Sequence, residues 1–173
     1  MTSIRSAEAR DFDAVAALTN HYIVHTSIHF GTDPVSADEL RGVWERSRAR
    51  YPFLIAEVGG VFAGYAKAGV WRDRAAYSWT PETGIYIEPR VQARGVGTAL
   101  YRALLDELRT RGFRSVVAGI TLPNEASVRL HERVGFRAVG VVKDAGWKFG
   151  AWHDVGFWQI MLSDSAAVPA ALP

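Results

Sequence analysis

The chain has 173 residues, of which 49% are hydrophobic and 22% are charged, which is the composition of one ordinary globular domain. Its net charge of +2 suits an anionic ligand but is too small to indicate a nucleic-acid-binding protein, since Lys and Arg do not gather in one block. The lack of cysteine excludes disulfides and thiolate sites, and without a signal-like N-terminus or a membrane-length apolar run we expect a cytoplasmic protein.

Hydrophobic periodicity and turn residues divide the chain into strands and helices. In chain order they are a strand at 2–8, helices at 11–25 and 36–50, hairpin strands at 53–58 and 61–70, a strand at 83–87, a helix at 98–111, a strand at 115–120, a helix at 124–134, and strands at 138–143 and 154–162. This order predicts an α+β domain over residues 1–162, with a mixed central sheet and helices on both faces. A loosely ordered tail should follow at 163–173.

Several residues mark the ends of these elements. Asp11 is a possible N-cap, and Ser36 begins a capping box with Glu39. Gly59 and Gly60 predict a tight hairpin turn between two apolar runs. The segment 144–153, which contains two glycines and two tryptophans, is predicted to be a loop between the last two strands.

The most informative segment is the loop 92–97, which reads Gln-Ala-Arg-Gly-Val-Gly and lies between a short apolar strand and a long helix. Glycine lets the backbone approach a ligand with no Cβ in the way, and the first amides of a helix lack internal partners and lie at the positive end of its dipole. The loop therefore predicts a pyrophosphate site, against the alternative of an ordinary glycine turn. It is neither a dinucleotide motif, because Leu100 occupies the third glycine position, nor a P-loop.

The loop resembles the Arg/Gln-x-x-Gly-x-Gly/Ala motif with which GNAT acyltransferases hold the pyrophosphate of coenzyme A. The chain to about Leu162 is similar to one GNAT subfamily, the phosphinothricin N-acetyltransferases and methionine sulfoximine acetyltransferases. The segments that carry this resemblance are 20–23, 29–32, 51–54, 76–80, 122–124, 127–132 and 150–159. The resemblance implies the GNAT fold, acetyl-CoA as the donor, an amino-acid amine as the acceptor, and a homodimer.

Amide formation from a thioester needs a neutral amine, and because free α-amines have a pKa of about 7.7–8.0, a base helps at neutral pH. Glu82 lies where the resembled family has its catalytic glutamate, and the alternative is a solvated glutamate at a strand start. The leaving thiolate needs a proton, which GNAT enzymes often take from a tyrosine seven residues after an asparagine. That position is His131, after Asn124, and His131 is either this acid or a structural histidine.

The resemblance also implies which residues bind the cosubstrate. Backbone amides of the fourth strand should polarise the thioester carbonyl, and the free edge of that strand should pair with the pantetheine arm. Asn124 is a pantetheine ligand, an N-cap or both. The predicted cosubstrate-binding residues are Ile85, Tyr86, Ile87, Gln92, Ala93, Arg94, Gly95, Val96, Gly97, Thr98 and Asn124.

The acceptor must be held by its oxygen atoms. Arg72 and Arg74 suit carboxylate, phosphinate or sulfoximine oxygens through their planar guanidinium groups, with a solvated loop as the alternative. The resemblance adds Tyr77, Phe30 and Val155 to the predicted acceptor-binding residues. We expect no metal, because the histidines at four-residue spacing in 21–29 have no carboxylate paired with them.

The resulting prediction is an N-acetyltransferase that acts on the α-amine of L-phosphinothricin, L-methionine sulfoximine or a similar small amino acid. The alternatives are an acetyltransferase for peptide N-termini or polyamines, and a non-catalytic CoA-binding regulator. The presence of Glu82 and His131 argues against the regulator. The sequence leaves the natural acceptor open.

Overall fold

A computed structural model describes residues 1–92 and 94–164. In chain order its α-helices and strands are β1 (Thr2–Ser6), α1 (Phe12–His25), α2 (Ala37–Ser47), β2 (Phe53–Val58), β3 (Val61–Val70), β4 (Pro81–Ile87), α3 (Val96–Thr110), β5 (Ser115–Leu122), α4 (Glu125–Arg133), β6 (Arg137–Lys148) and β7 (Ala151–Met161). The predicted order of elements and the mixed α+β sheet are confirmed. Ala93 and residues 165–173 lie outside the described residues, so the predictions for Ala93 and for the loose tail stay predictions.

The strands form one sheet in the order β1-β2-β3-β4-β5-β7-β6. Every neighbouring pair is antiparallel except β4 and β5, which are parallel. These two strands pair at a single position, Glu82 with Val117. The backbone edges of β4 and β5 therefore separate towards their carboxyl ends, and the sheet opens in its middle.

The helices cover both faces of the sheet, because alternate residues of each strand point to opposite sides. Ile55 of β2 and Tyr65 of β3 pack in one apolar cluster with Phe12 of α1 and Trp44 of α2. Their sequence neighbours face the other way, where the helix α3 buries Leu100, Leu104 and Leu108. We call these two sides of the sheet the α1 face and the α3 face.

The local signals have mixed outcomes. The capping box is confirmed, since Ser36 Oγ accepts a hydrogen bond from the Glu39 amide at 3.2 Å and Glu39 accepts one from the Ser36 amide at 2.7 Å. The hairpin turn is also confirmed, with φ of 61° at Gly59 and 78° at Gly60. Asp11 is the N-cap residue of α1, as predicted, but its side chain makes no cap hydrogen bond to the helix, and its carboxylate pairs with Arg5 at 2.7 Å.

The predicted loop 144–153 is also wrong, because most of it belongs to the long hairpin of β6 and β7. The turn is confined to Phe149 and Gly150, both of which have positive φ. Trp147 and Trp152 are cross-strand partners whose ring centroids lie 5.3 Å apart. Such aromatic pairs stabilise a hairpin, and here they outweigh the glycines that suggested a loop.

Candidate active site

The loop before α3 delivers the backbone that the sequence predicted for an anion. Gly95 adopts a left-handed conformation with φ of 79° and is followed directly by Val96, the first residue of the helix. The helix thus begins two residues earlier than predicted. The Ala99 amide donates to the Gly95 carbonyl at 3.1 Å, so the amides of Val96, Gly97 and Thr98 form the first turn, where helix geometry supplies no acceptor. This end of α3 is suited to a phosphate group.

The two glycines of the loop serve different purposes. An added Cβ at Gly95 would meet no atom within 4 Å, so this glycine is required by its positive φ. At Gly97 an added Cβ would lie 3.3 Å from Leu130 Cδ2 and 3.6 Å from Ile87 Cγ1. Gly97 therefore allows α3 to approach β4 and α4 closely, in addition to its predicted role near the ligand.

Gln92 ties the loop to its surroundings. Its Nε2 donates to the Tyr22 hydroxyl at 3.0 Å, and that hydroxyl donates to the Ile87 carbonyl at 2.7 Å. This chain of contacts joins α1, the end of β4 and the loop. Arg94, two residues further on, is exposed.

In β4, the backbone and not the side chains is available to a ligand. Ile85 and Ile87 pack against the core on the α3 face, and Tyr86 packs on the α1 face at 5.3 Å from the Tyr22 ring. Their side chains are core residues, while the β4 edge beyond Glu82 has no described pairing with β5. The edge is long enough to pair with an extended ligand.

Asn124 lies beside this opening. Its Oδ1 accepts a hydrogen bond from the Ser127 amide at 3.1 Å, so its role as N-cap of α4 is confirmed. Together with Leu122 and Val128 it lines an open cleft of about 490 Å³ at the carboxyl end of β5. The cleft is where a ligand that follows β4 would leave the sheet.

Glu82 lies at the point where the two strands separate. It is half-buried on the α1 face, and a Cβ added to Gly119 of β5 would lie 3.3 Å from its Oε1, 3.6 Å from Val155 Cγ1 and 3.5 Å from Phe157 Cε1. Glu82 and Val155 are therefore brought together over Gly119. Burial raises the pKa of Glu82 above its usual value, and the nearby charge of Lys67 opposes part of that rise. A carboxylate with a raised pKa is a better base near neutral pH.

His131 is in a less accessible place. Only 3% of it is exposed, and its ring centroid lies 4.9 Å from that of Tyr101 and 5.3 Å from that of Phe136. Its Nδ1 lies 2.8 Å from the Ser127 carbonyl oxygen, which can only accept, so Nδ1 carries the proton and Nε2 has the lone pair. Burial also lowers the pKa of His131. These contacts support the structural alternative more than the role of proton donor.

The predicted acceptor residues fall into two groups. Phe30, which is 38% exposed, packs over the backbone of Gly146 and lies 6.3 Å from the His153 ring, at the open side of the β6–β7 hairpin. In the connection 71–80, the Arg72 guanidinium stacks over the Trp71 and Tyr77 rings, 5.0 Å and 5.8 Å from their centroids. Arg74 is exposed. None of the described contacts joins either arginine to Glu82.

Sequence reasoning missed two cations on the α1 face. Lys67 of β3 is half-buried near Glu82, and burial lowers its pKa. Lys148, at the end of β6, is buried and donates to the carbonyl oxygens of Ile23 and His29, both at 2.6 Å. Lys148 thereby fixes the segment after α1 that carries Phe30. The available signal was a lysine inside an otherwise apolar strand, at 67.

Residues 1–92 and 94–164 contain no group of three or more His, Asp or Glu side chains arranged to hold a metal ion. None of the helices in the described ranges is both long enough and apolar enough to cross a membrane.

Comparison with known proteins fits this geometry. The sequence model of the Acetyltransferase (GNAT) family matches residues 16–136. A phosphinothricin N-acetyltransferase from Streptomyces viridochromogenes is 50% identical over 156 residues, which is 90% of this chain and 85% of that protein. An L-methionine sulfoximine/L-methionine sulfone acetyltransferase from Salmonella typhimurium is 37% identical, over 97% of this chain and 99% of its own.

The fold has a solved counterpart with a bound ligand. An acetyltransferase from Salmonella typhimurium, solved with its cofactor acetyl-CoA, superposes with a TM-score of 0.93 and is 36% identical over 96% of each chain. The family match covers more than half of the chain, and the relatives span nearly its full length. The chain therefore belongs to the GNAT family of acetyltransferases.

Proposed function

We propose that this protein transfers an acetyl group from acetyl-CoA to the α-amine of L-phosphinothricin, L-methionine sulfoximine or a similar small amino acid. The observation that carries the proposal is the position of Glu82: a half-buried carboxylate stands where β4 and β5 separate. The names of the relatives from Streptomyces viridochromogenes and Salmonella typhimurium support the choice of acceptor.

Acetyl-CoA fits the residues available to it. The first amides of α3 would donate hydrogen bonds to the pyrophosphate, and the open edge of β4 at Ile85 to Ile87 would pair with the pantetheine arm. Gln92 and Asn124 both lie near the carboxyl end of this edge, because β4 and β5 are parallel. Bound there, acetyl-CoA supplies the thioester whose acetyl carbon receives the amine.

Glu82 is the base in this proposal. It accepts a proton from the α-ammonium group, directly or through a water, and leaves the nitrogen lone pair free to attack the acetyl carbon. A C–N bond forms and the C–S bond breaks, so the electron pair leaves on sulfur, and the nitrogen of the new amide releases its second proton, which balances the one that the thiolate gains. Backbone amides at the β4 edge stabilise the negative charge that develops on the carbonyl oxygen.

The thiolate must finally gain a proton. His131 remains the predicted donor by position, but its neutral ring carries its proton on Nδ1, towards Ser127. While the ring is neutral, the Nε2 of His131 therefore has no proton to donate. Water at the opening beside Asn124 is the alternative source of the proton.

The acceptor lies on the α1 face in this proposal, beneath the segment that carries Phe30. Val155 would form part of its apolar wall, since it adjoins Glu82 over Gly119. Arg72, Arg74 and Tyr77 belong to the exposed connection before β4, where they could meet the far end of a phosphinate- or sulfoximine-bearing side chain.

The quaternary state and location are also proposals. The β6–β7 hairpin exposes a group of large apolar side chains at the rim of the sheet, which supports a homodimer formed through this hairpin. These side chains are Val139, Val141, Val142, Trp147, Phe149 and Trp152. Light scattering of the pure protein tests the dimer.

We propose the cytoplasm as the location of this protein, because the proposed donor is acetyl-CoA.

A panel of acceptors tests the function. Thiol release from acetyl-CoA should be measured with L-phosphinothricin, L-methionine sulfoximine, L-glutamate, a polyamine and a peptide with a free N-terminus. We expect kcat/KM to be highest for the two analogues, and cells that express the protein to tolerate phosphinothricin as a herbicide. A peptide or polyamine that outperforms both analogues would overturn the acceptor, and no release with any amine would favour a non-catalytic CoA-binding protein.

A further inference from the structure

On the α1 face of the sheet, three adjacent strands have glycine next to Glu82. Gly69 of β3 is the cross-strand partner of Glu82, and Gly84 of β4 is the partner of Lys67. An added Cβ would meet nothing within 4 Å at Gly69 and only the Tyr86 ring, at 3.5 Å, at Gly84. With Gly119 of β5, three adjacent strands lack a side chain here, so a small molecule has room between Lys67 and Glu82.

Lys67 faces this space without a fixed partner. Cross-strand partners point to the same side of a sheet, so Lys67, Gly84 and Glu82 share the α1 face. Among the described residues, the Lys67 ammonium makes no ion pair and no hydrogen bond within the usual distances. A half-buried cation that lacks a partner is costly, because burial removes water that no protein group replaces.

His29 adds a hydrogen-bond donor at the same place. Its ring lies 5.8 Å from the ring of Tyr86, which follows Gly84 on this face of β4. The Gly31 amide donates to His29 Nδ1 at 2.9 Å, so the neutral ring carries its proton on Nε2. Burial and the charges of Lys67 and Lys148 lower the pKa of His29, which keeps the ring neutral at physiological pH. The groups that face this space are therefore Lys67, Lys148, His29, Tyr86 and Glu82.

We propose that Lys67, assisted by the Nε2–H of His29, binds the α-carboxylate of the acceptor amino acid while Glu82 faces its α-amine. This assignment rests on the proposed function and names the subsite that fixes the backbone of the acceptor. In this assignment, the exposed Arg72 and Arg74 bind the far end of the acceptor's side chain.

The geometry favours the α-carboxylate over a side-chain group. Lys67 is a diagonal neighbour of Glu82, because Lys67 pairs with Gly84 two residues further along β4. Diagonal neighbours on antiparallel strands lie about 7–8 Å apart, and their Cβ atoms are somewhat closer, a span that one small zwitterion fills. The amine and the carboxylate leave the same carbon atom, whereas a phosphinate or sulfoximine group lies several bonds away.

A competing role for Lys67 is only to lower the pKa of Glu82. The two roles differ in what they predict for an acceptor without a carboxylate. If Lys67 binds the carboxylate, removing its charge should matter only when the acceptor carries one. If Lys67 acts on Glu82 alone, the same change should affect every acceptor equally.

The experiment compares L-methionine sulfone, whose side chain is uncharged, with its α-carboxamide. Wild type, Lys67→Met and Lys67→Arg are assayed with both acceptors, and Lys143→Met, an exposed lysine on β6, is the matched control. With L-methionine sulfone, Lys67→Met should lose about 10- to 100-fold in kcat/KM, mostly through KM, because a charge-assisted hydrogen bond is lost. With the carboxamide it should lose less than about threefold, and Lys67→Arg should retain part of the preference.

Other results would overturn the inference. Equal losses with the two acceptors, together with a shift in the acid limb of the pH profile, would assign Lys67 to Glu82 alone. An unchanged Lys67→Met would remove Lys67 from the site. If wild type acetylates neither acceptor while it binds acetyl-CoA, the proposed function fails instead. Thermal melting shows that Lys67→Met is folded, and removing an unpartnered charge should leave its melting temperature unchanged or higher.

Discussion

Replacing Glu82 by Gln should lower the activity of the enzyme and raise its thermal stability. The substitution preserves the size of a side chain whose oxygen reaches over Gly119, so no cavity or overlap is created. It removes the carboxylate that, in the proposed mechanism, accepts a proton from the acceptor amine. We expect kcat/KM at pH 7 to fall by about 10²- to 10⁴-fold, the usual contribution of a general base.

The stability effect follows from the raised pKa of Glu82, for which burial is the main cause. A carboxyl group whose pKa is higher in the folded than in the unfolded protein binds more protons when folded. Wild type therefore loses stability as the pH rises from the unfolded pKa through the folded one, and above both values the charged group costs its full amount. Glu82→Gln has no charge to bury and should melt at a higher temperature than wild type at pH 7.

The assays are thiol release across pH and thermal melting, with Glu45→Gln on the exposed face of α2 as the matched control. Wild-type kcat/KM should decline on the acid side with an apparent pKa above the usual carboxylate range. Glu82→Gln should recover part of its rate at high pH, where the amine loses its proton unaided. A variant with near wild-type kcat/KM at pH 7 would refute the base, and a lower melting temperature would refute the burial argument.

Three further changes probe the surrounding structure. Gly95→Ala forces an alanine to positive φ at a cost of about 1–2 kcal/mol and should weaken acetyl-CoA binding in calorimetry; unchanged affinity in the folded variant would contradict the pyrophosphate site. His131→Asn keeps an amide donor near Ser127 and should lower kcat less than tenfold while lowering the melting temperature; a larger kcat loss with intact stability would restore His131 as the acid. Lys148→Met leaves the carbonyls of Ile23 and His29 without their donor, so the acceptor KM should rise and stability should fall by about 1–3 kcal/mol, while acetyl-CoA affinity stays the same.

Local signals were sufficient for much of the fold. Ser36 marks a helix start by the chemistry of its own first turn, and two consecutive glycines mark the turn between β2 and β3. Both signals act within a few residues, and at these two positions no tertiary contact overrides them. The extent of the β6–β7 hairpin was not predicted by local signals, because cross-strand pairs such as Trp147 with Trp152 stabilise it.

The candidate site was predictable only where a motif lies in one segment. The loop 92–97 could be found because its neighbours in sequence are also its neighbours in space, whereas Glu82 was assigned only through the resemblance of the segment 79–82 to the GNAT subfamily. The position of Lys67 beside Glu82 depends on the register of β3 against β4, which no periodicity specifies to a single residue. Lys148 meets the carbonyls of Ile23 and His29 from more than a hundred residues away, as the pairs at separations of 125 and 119 show.

The single pairing between β4 and β5 also has a consequence for what can enter the sheet. An unpaired edge at the rim of a sheet invites strands from other molecules, but this edge is flanked by a second strand that the fold holds in place. A polypeptide strand would need a gap of two strand spacings, about 9–10 Å, and room for side chains above and below. An unbranched chain with amide groups and no side chains needs less space. The gap between β4 and β5 therefore favours thin ligands that carry amide groups. A strand from another protein molecule does not fit there, so this edge does not promote aggregation.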